Sequence, residues 1–204
     1  MMKNIVFDLG RVLVDFDPIA YLYSLGYDDE TVQALYDRIF GGEDWMRHDR
    51  GDYPSVIEMQ TVLIQKYPEY EAQIRRALQP DWVKIHTLRE DTAAYLLELK
   101  ERGYPVYMLS NLAADSYAYV SRYPFFRALD GGVFSYQERV CKPDARIYEI
   151  LLQRYALDPA ETVFLDDNAD NVEAAEKAGI RGIVFTSLDE AKKQLEPLLS
   201  DTCN

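Results

Sequence analysis

Asp8, Ser110, Asn111, Lys142, Asp166 and Asp167 are the side chains whose types and placement could support one reaction. Asp8 follows the apolar run Ile5-Val6-Phe7, and Ser110-Asn111 follows Val106-Tyr107-Met108-Leu109. Asp166-Asp167 follows Val163-Phe164-Leu165, and Lys142-Pro143 opens the helical stretch before that run. Three carboxylates gathered in one place repel one another, so a hard divalent cation is their natural compensation. Mg²⁺ suits oxygen ligands and keeps several waters. A carboxylate beside such an ion can attack phosphorus and form an acyl phosphate. A lysine and a hydroxyl donor would balance charge on the transferring oxygens. Each element alone is weak evidence; the four in this order and context are specific.

Four continuous apolar runs, Ile5–Phe7, Val106–Leu109, Val163–Leu165 and Ile183–Phe185, read as parallel strands covered on both faces, with Val133-Phe134 a weaker fifth. Helical patterns lie between them. Glu90 to Arg102 presents Ala93, Leu96 and Leu97 and stops at Gly103; the stretch after Asp170 carries Val172 and Ala175 and stops at Gly179. Strands alternating with helices predict an α/β fold, a doubly wound Rossmann-like parallel sheet. Its ligands would bind at the carboxyl ends of the strands, where strand order reverses.

Residues 17–81 break the alternation. Val32, Leu35, Tyr36, Ile39 and Phe40 keep helical spacing, as do Tyr70, Ile74, Ala77 and Leu78, and Val56, Met59 and Leu63 are compatible with it. Gly41-Gly42 and Pro54 punctuate the block. The chain therefore divides into a core of 1–16 and 82–204 and a helical cap of 17–81 inserted after the first strand. A last helix starts at a Ser187/Glu190 capping box and buries Leu188, Ala191, Leu195 and Leu198.

The 204 residues carry a net charge of −13, and nucleic acid or an anionic membrane would be repelled. No apolar run approaches the roughly 20 residues that span a bilayer. The first nine residues are too short for a signal peptide. Cys141 and Cys203 have no metal-type spacing and read as reduced thiols, which fits a cytoplasmic protein.

Asp8-Leu9-Gly10-Arg11-Val12, Ser110-Asn111, Lys142-Pro143 and Asp166-Asp167-Asn168-Ala169-Asp170-Asn171-Val172 together resemble the four motifs of haloacid-dehalogenase-like hydrolases, and they span nearly the whole chain. The resemblance implies a Mg²⁺-dependent phosphatase acting on a small-molecule phosphate ester. By it, Asp8 is nucleophile and metal ligand, and the Gly10 carbonyl and Asp167 also reach Mg²⁺. Asp166 is a direct or water-mediated partner, Ser110 binds the phosphoryl group, and Lys142 pairs with nucleophile and phosphate. The opening is most similar to a bacterial branch that includes an α-D-glucose-1-phosphate phosphatase. One position departs from the pattern: most phosphatases of this superfamily carry a second Asp two residues after the nucleophile, and here that residue is Gly10. A general acid contributes roughly 10²–10⁴-fold. The gap admits a slower phosphatase, one whose esters need little protonation such as sugar 1-phosphates, a relative with another reaction, or a dead scaffold.

Plainer readings exist for each residue. Asp166, Asp167 and Asp170 suit helix N-termini, and Asp170 is read as such a cap. Ser110-Asn111 could form a turn, and Lys142 could be a surface lysine. The stretch Trp45-Met46-Arg47-His48-Asp49-Arg50-Gly51-Asp52-Tyr53 reads as a solvated loop between cap helices. It is also where a cap would present Arg47 or Arg50 to a phosphate, Trp45 or Tyr53 to a sugar, and His48 as a substitute acid. A dehalogenase would have little reason to collect Asp8, Asp166 and Asp167. A receiver domain would place its acidic pair before the nucleophile and its Lys-Pro last.

Overall fold

The computed structural model describes residues 2–199. Among these, the strands are β1 (Asn4–Phe7), β2 (Val14–Asp15), β3 (Thr87–Leu88), β4 (Val106–Ser110), β5 (Gly131–Phe134), β6 (Thr162–Asp166) and β7 (Arg181–Val184). The α-helices are α1 (Pro18–Ser24), α2 (Asp29–Arg38), α3 (Glu43–Asp49), α4 (Val56–Lys66), α5 (Glu71–Ala77), α6 (Glu90–Glu101), α7 (Ala114–Val120), α8 (Ser135–Glu138), α9 (Ala145–Tyr155), α10 (Ala169–Lys177) and α11 (Leu188–Leu195).

Five strands form a parallel sheet in the order β5-β4-β1-β6-β7. Alternate side chains enter two different cores, and so these strands read as unbroken apolar runs. Ile5, Phe7, Val106, Met108, Val163 and Leu165 face α6, α7 and α11. Val6, Leu109, Val133 and Phe164 face α9 and α10 through Ile147, Tyr148, Leu151 and Ala175. Each fully buried large apolar side chain contributes roughly 1.5–3 kcal/mol relative to exposure. Burial on both faces therefore outweighs the weak local propensity of such short strands. The result is the doubly wound α/β architecture, with the order reversing about β1, between β4 and β6.

The helical block has its own core, built on Leu22, Leu35, Ile39, Met59, Leu63, Ile74, Leu78 and Trp82, with Phe16 and Ile85 packed against it. It leaves and rejoins the sheet through an antiparallel ribbon in which Val14 pairs Leu88 and Asp15 pairs Thr87. The apolar cluster thus runs four residues past the expected limit at 81.

Some local expectations are corrected. Leu97 is exposed; α6 buries Thr92, Ala93, Tyr95, Leu96 and Leu99 instead, because the inward face is set by the sheet. The expected loop at 45–53 begins as helix α3, with Trp45 and His48 buried rather than solvated. Asn168, not Asp170, caps α10, accepting from the Asp170 amide at 2.9 Å. Ser187 caps α11, but Glu190 turns to Lys193 at 2.6 Å instead of completing the box; Leu188 and Leu198 are half-buried beside Ala191 and Leu195. Cys141 is a free thiol, pushed by burial up to about 11, and Cys203 lies outside the described residues. Among the described residues no helix is long and apolar enough to cross a membrane.

Candidate active site

The reversal of strand order places the ends of β1 and β6 side by side. Phe7 pairs with Leu165, and the Asp8 amide donates to the Leu165 carbonyl at 2.8 Å. The two strands therefore deliver Asp8 and Asp166 to the same edge one step later. Asp8, Asp166 and Asp167 each offer an oxygen within 4.8 Å of the others.

Lys142 joins them. Its Nζ donates to Asp8 Oδ1 at 2.7 Å, to Asp166 Oδ2 at 2.6 Å and to the Leu109 carbonyl at 2.9 Å, which uses all three ammonium protons. The side chain is 1% exposed. Burial works against its charge, yet Asp8 and Asp166 outweigh burial and raise its pKa. Asn111 holds the lysine backbone in place by accepting from the Lys142 amide at 2.8 Å and donating to its carbonyl at 3.0 Å.

Asp166 is saturated. Its Oδ1 accepts from the Asn168 amide at 2.8 Å and from Asn171 Nδ2 at 3.1 Å, while Oδ2 accepts from Lys142 and again from Asn171 at 3.1 Å. Asp167 is freer: its side chain is 25% exposed and its nearest cation is Arg11 Nη1 at 3.6 Å. One lysine cannot neutralise three gathered carboxylates. Burial pushes Asp8 up to about 7, with Lys142 opposing and Asp166 adding to the rise. Asp167 is also raised, by burial and then by Asp166, against Arg11 and Lys142. A surplus of buried oxygen donors with unmet negative charge is the donor chemistry of a hard divalent cation, so these residues fit Mg²⁺.

Beside the carboxylates lies a recess of about 300 Å³ lined by Asp8, Gly10, Ser110, Asn111, Lys142 and Asp167, with Phe16, Phe40, Trp45 and Asp49 opposite. A smaller one of about 120 Å³ shares Gly10, Phe16, Trp45, Asp49, Ser110 and Asn111 and reaches His86 and Leu112. Ser110 ends β4, is 2% exposed and opens onto both.

Asp8, Gly10, Ser110, Asn111, Lys142, Asp166 and Asp167 are therefore gathered at one sheet edge. Arg47 and His48 are not brought to it. Arg47 pairs with Asp44 at 3.3 Å and Asp52 at 3.4 Å and lies over Tyr53. His48 is buried, with Nε2 3.2 Å from Asp115 Oδ1 but poorly aligned for a ring N–H bond. Arg50 is taken up by Asp52, and the Tyr53 hydroxyl by Asp44. Of the aromatic candidates only Trp45 lines the recess. Asp49, Phe16 and Phe40 escaped the sequence reading as site residues, and Asn171, named there within the fourth motif, was given no role. The i, i+3, i+4 spacing of Trp45, His48 and Asp49 was the available signal for a helix facing inward.

Comparison with known proteins agrees with the geometry. Residues 2–179 match the family model of the haloacid dehalogenase-like hydrolases. The sesquiterpene phosphatase astK of Aspergillus oryzae is 30% identical over 193 residues, covering 90% of this chain and 90% of that protein. The D-ribitol-5-phosphate phosphatase of Bacteroides thetaiotaomicron is 27% identical over 202 residues, covering 88% of this chain and 89% of that protein. Two longer relatives are matched over only 19% and 36% of their length. A HAD family enzyme from Bacteroides thetaiotaomicron, solved with magnesium and inorganic phosphate, superposes with a TM-score of 0.71 at 22% identity, covering 94% of this chain and 99% of that one. With its four polar clusters converged at the reversal of strand order and the family model matched along most of its length, the chain belongs to the haloacid dehalogenase-like hydrolases.

Proposed function

We propose that this hydrolase is a Mg²⁺-dependent phosphatase that acts on a small phosphorylated metabolite through an aspartyl-phosphate on Asp8. The observation that carries this reading is the Lys142 ammonium held between Asp8 and Asp166, with Asp167 beside them and only a long Arg11 contact of 3.6 Å opposite it. Phosphatase relatives and a neighbour solved with magnesium and phosphate support it.

In this reading Asp8, Asp167 and the Gly10 carbonyl hold the cation, with Asp166 behind them. When bound, the ion supplies positive charge to the phosphoryl oxygens, a Lewis-acid role. Asp8 attacks phosphorus, and its P–O bond forms as the bond to the leaving alcohol breaks. Lys142 holds the Asp8 carboxylate in the attacking orientation, and Ser110 offers its hydroxyl to a phosphoryl oxygen. Water then attacks the phosphorus of the aspartyl-phosphate and releases Asp8 and inorganic phosphate.

Helices 17–81 act as the cap in this scheme. Phe16, Phe40 and Trp45 give the recess an aromatic wall that suits the less polar face of a sugar as well as an apolar chain. Sugar phosphates, glucose 1-phosphate among them, are the first substrates to test. The collected acids argue against a dehalogenase, which has no use for them.

A Mg²⁺-dependent screen of phosphorylated metabolites, with sugar phosphates and isoprenoid phosphates included, tests the reading against an Asp8→Asn control. Turnover should require Mg²⁺ and vanish in the variant. Wild-type turnover by purified Asp8→Asn, or haloacid turnover in EDTA with esters untouched, would overturn it.

A further inference from the structure

Transfer from an unactivated ester leaves an alkoxide that must gain a proton, and the titratable groups around the recess narrow the choice of donor. Gly10 has no side chain. Lys142 has committed all three protons to Asp8, Asp166 and the Leu109 carbonyl. Asp167 sits among the carboxylates that gather the cation, opposite Arg11. His86 lines the smaller recess but not the one beside the carboxylates, its Nδ1 2.9 Å from the Val83 carbonyl and its ring against Phe16 and Trp82. Asp49 remains. It lines both recesses, together with Gly10, Ser110 and Asn111, and has neither ion pair nor side-chain hydrogen bond to another side chain among the described residues.

Its position is fixed from the opposite side. Asp49 ends α3, and its carbonyl accepts from Ser135 Oγ at 2.5 Å, the same hydroxyl that receives the Leu112 amide at 2.8 Å. Two residues on, the Gly51 carbonyl accepts from Arg139. Gly51 also packs so closely on Tyr136 that an added Cβ would stand 2.7 Å from the Tyr136 carbonyl oxygen. The end of α3 is thus fastened to α8, the short helix that follows β5, and to its C-cap Arg139, with the Asp49 side chain turned to the recess.

We propose that Asp49, supplied by the helical block, is the general acid that protonates the leaving oxygen, in the role that Gly10 cannot fill. This rests on the phosphatase reading above. As the P–O bond to the alcohol breaks, the Asp49 proton passes to the departing oxygen. In the second step the Asp49 carboxylate takes a proton from the water that attacks the aspartyl-phosphate, which restores the acid. Its surroundings favour holding that proton: burial pushes the carboxyl up to about 7, His48 and the Ala113 amide oppose the rise, and Asp115 and Asp8 add to it. Cys141, also nearby, has its own thiol raised by burial.

Leaving groups of different basicity test the assignment. With phenyl phosphate, whose leaving oxygen needs a proton, Asp49→Asn should lower kcat/KM by ~10²–10³-fold. With 2,4-dinitrophenyl phosphate, whose leaving group departs as the anion, the pre-steady-state burst of dinitrophenolate should slow by less than about threefold. Asp49→Glu should recover part of the phenyl phosphate rate. Equal losses on both esters would assign Asp49 a structural part only, and no loss on either would remove it from the reaction; each overturns the proposal. Asp8→Asn run alongside separates the premises: if it keeps turning over both esters, the phosphatase reading itself has failed, whatever Asp49 does.

Discussion

Asn111 and Lys142 clasp each other through two hydrogen bonds, the carboxamide oxygen taking the lysine amide at 2.8 Å and the carboxamide nitrogen giving to the lysine carbonyl at 3.0 Å. A residue expected to touch the phosphate therefore acts first on the lysine that holds Asp8. Supporting contacts of this kind are worth roughly 10–100-fold in activity. Asn111→Ala should lower kcat by about that factor while KM moves less than about threefold, because the lysine loses its aim but the recess keeps its walls. Steady-state kinetics on a phosphate ester separates the two parameters. A large rise in KM with kcat intact would instead make Asn111 a substrate contact.

Gly10 has no atom within 4 Å of where a Cβ would stand. A side chain added there enters open space in the recess. Gly10→Asp should fold with a thermal midpoint within a few degrees of wild type, the ordinary range for an uncrowded substitution of about ±0.5 kcal/mol. In an Asp49→Asn background it should raise phenyl phosphate turnover at least about tenfold by returning an acid to the site.

Gly51 combines a φ of +81° with the close approach to Tyr136. An alanine there would pay twice, about 1–2 kcal/mol for a left-handed conformation and more for the contact. Gly51→Ala should therefore lower the thermal midpoint and speed hydrogen exchange at the end of α3 relative to the central strands. Unchanged exchange at residues 47–53 would show that this contact does not hold the helix down.

Asp44 is 4% exposed and receives Lys66 Nζ at 2.5 Å, the Tyr53 hydroxyl at 2.6 Å and Arg47 Nη1 at 3.3 Å. Burial alone would raise its pKa, but Lys66, Tyr53 and Arg47 together hold it below its ordinary value. The unfolded carboxyl, near about 3.9, then takes up a proton before the folded one does. The stabilisation is complete above that pH and is lost as pH falls through the lower folded value. Asp44→Asn should cost about 1–3 kcal/mol at neutral pH. Urea unfolding at pH 7 and near pH 3 should show the gap between wild type and variant narrowing in acid.

The sheet was legible because both of its faces are buried, so apolar runs such as Val163-Phe164-Leu165 stand out without any periodicity. Asp8, Ser110 and Asp166-Asp167 were legible for a related reason, each following such a run, whereas Lys142 stood out through the Lys-Pro pair that opens the helical stretch before Val163-Phe164-Leu165. The α3 helix was not. It is seven residues long, starts after Gly41-Gly42, and has five charged or imidazole side chains, so its single buried stripe of Trp45 and His48 is too short to register as a period. Asp49 was lost with it, and Arg47, read toward a phosphate, and His48, read as a substitute acid, do not line the recess. Leu97 was misplaced because Leu96 and Leu97 are neighbours in sequence and only the contact with the sheet decides which turns inward. The β2–β3 ribbon has two residues per strand, below what any pattern resolves.

That ribbon joins Val14 to Leu88 and Asp15 to Thr87, so the excursion of some seventy residues between them begins and ends at adjacent backbone positions. An insert with touching ends can be exchanged as a cassette without shifting the register of β1 against β4 and β6. Selection can then rewrite the aromatic wall of the recess while leaving Asp8, Asp166 and Lys142 where they are. If the acid also arrives on that cassette, each exchange would reset the proton donor along with the choice of substrate.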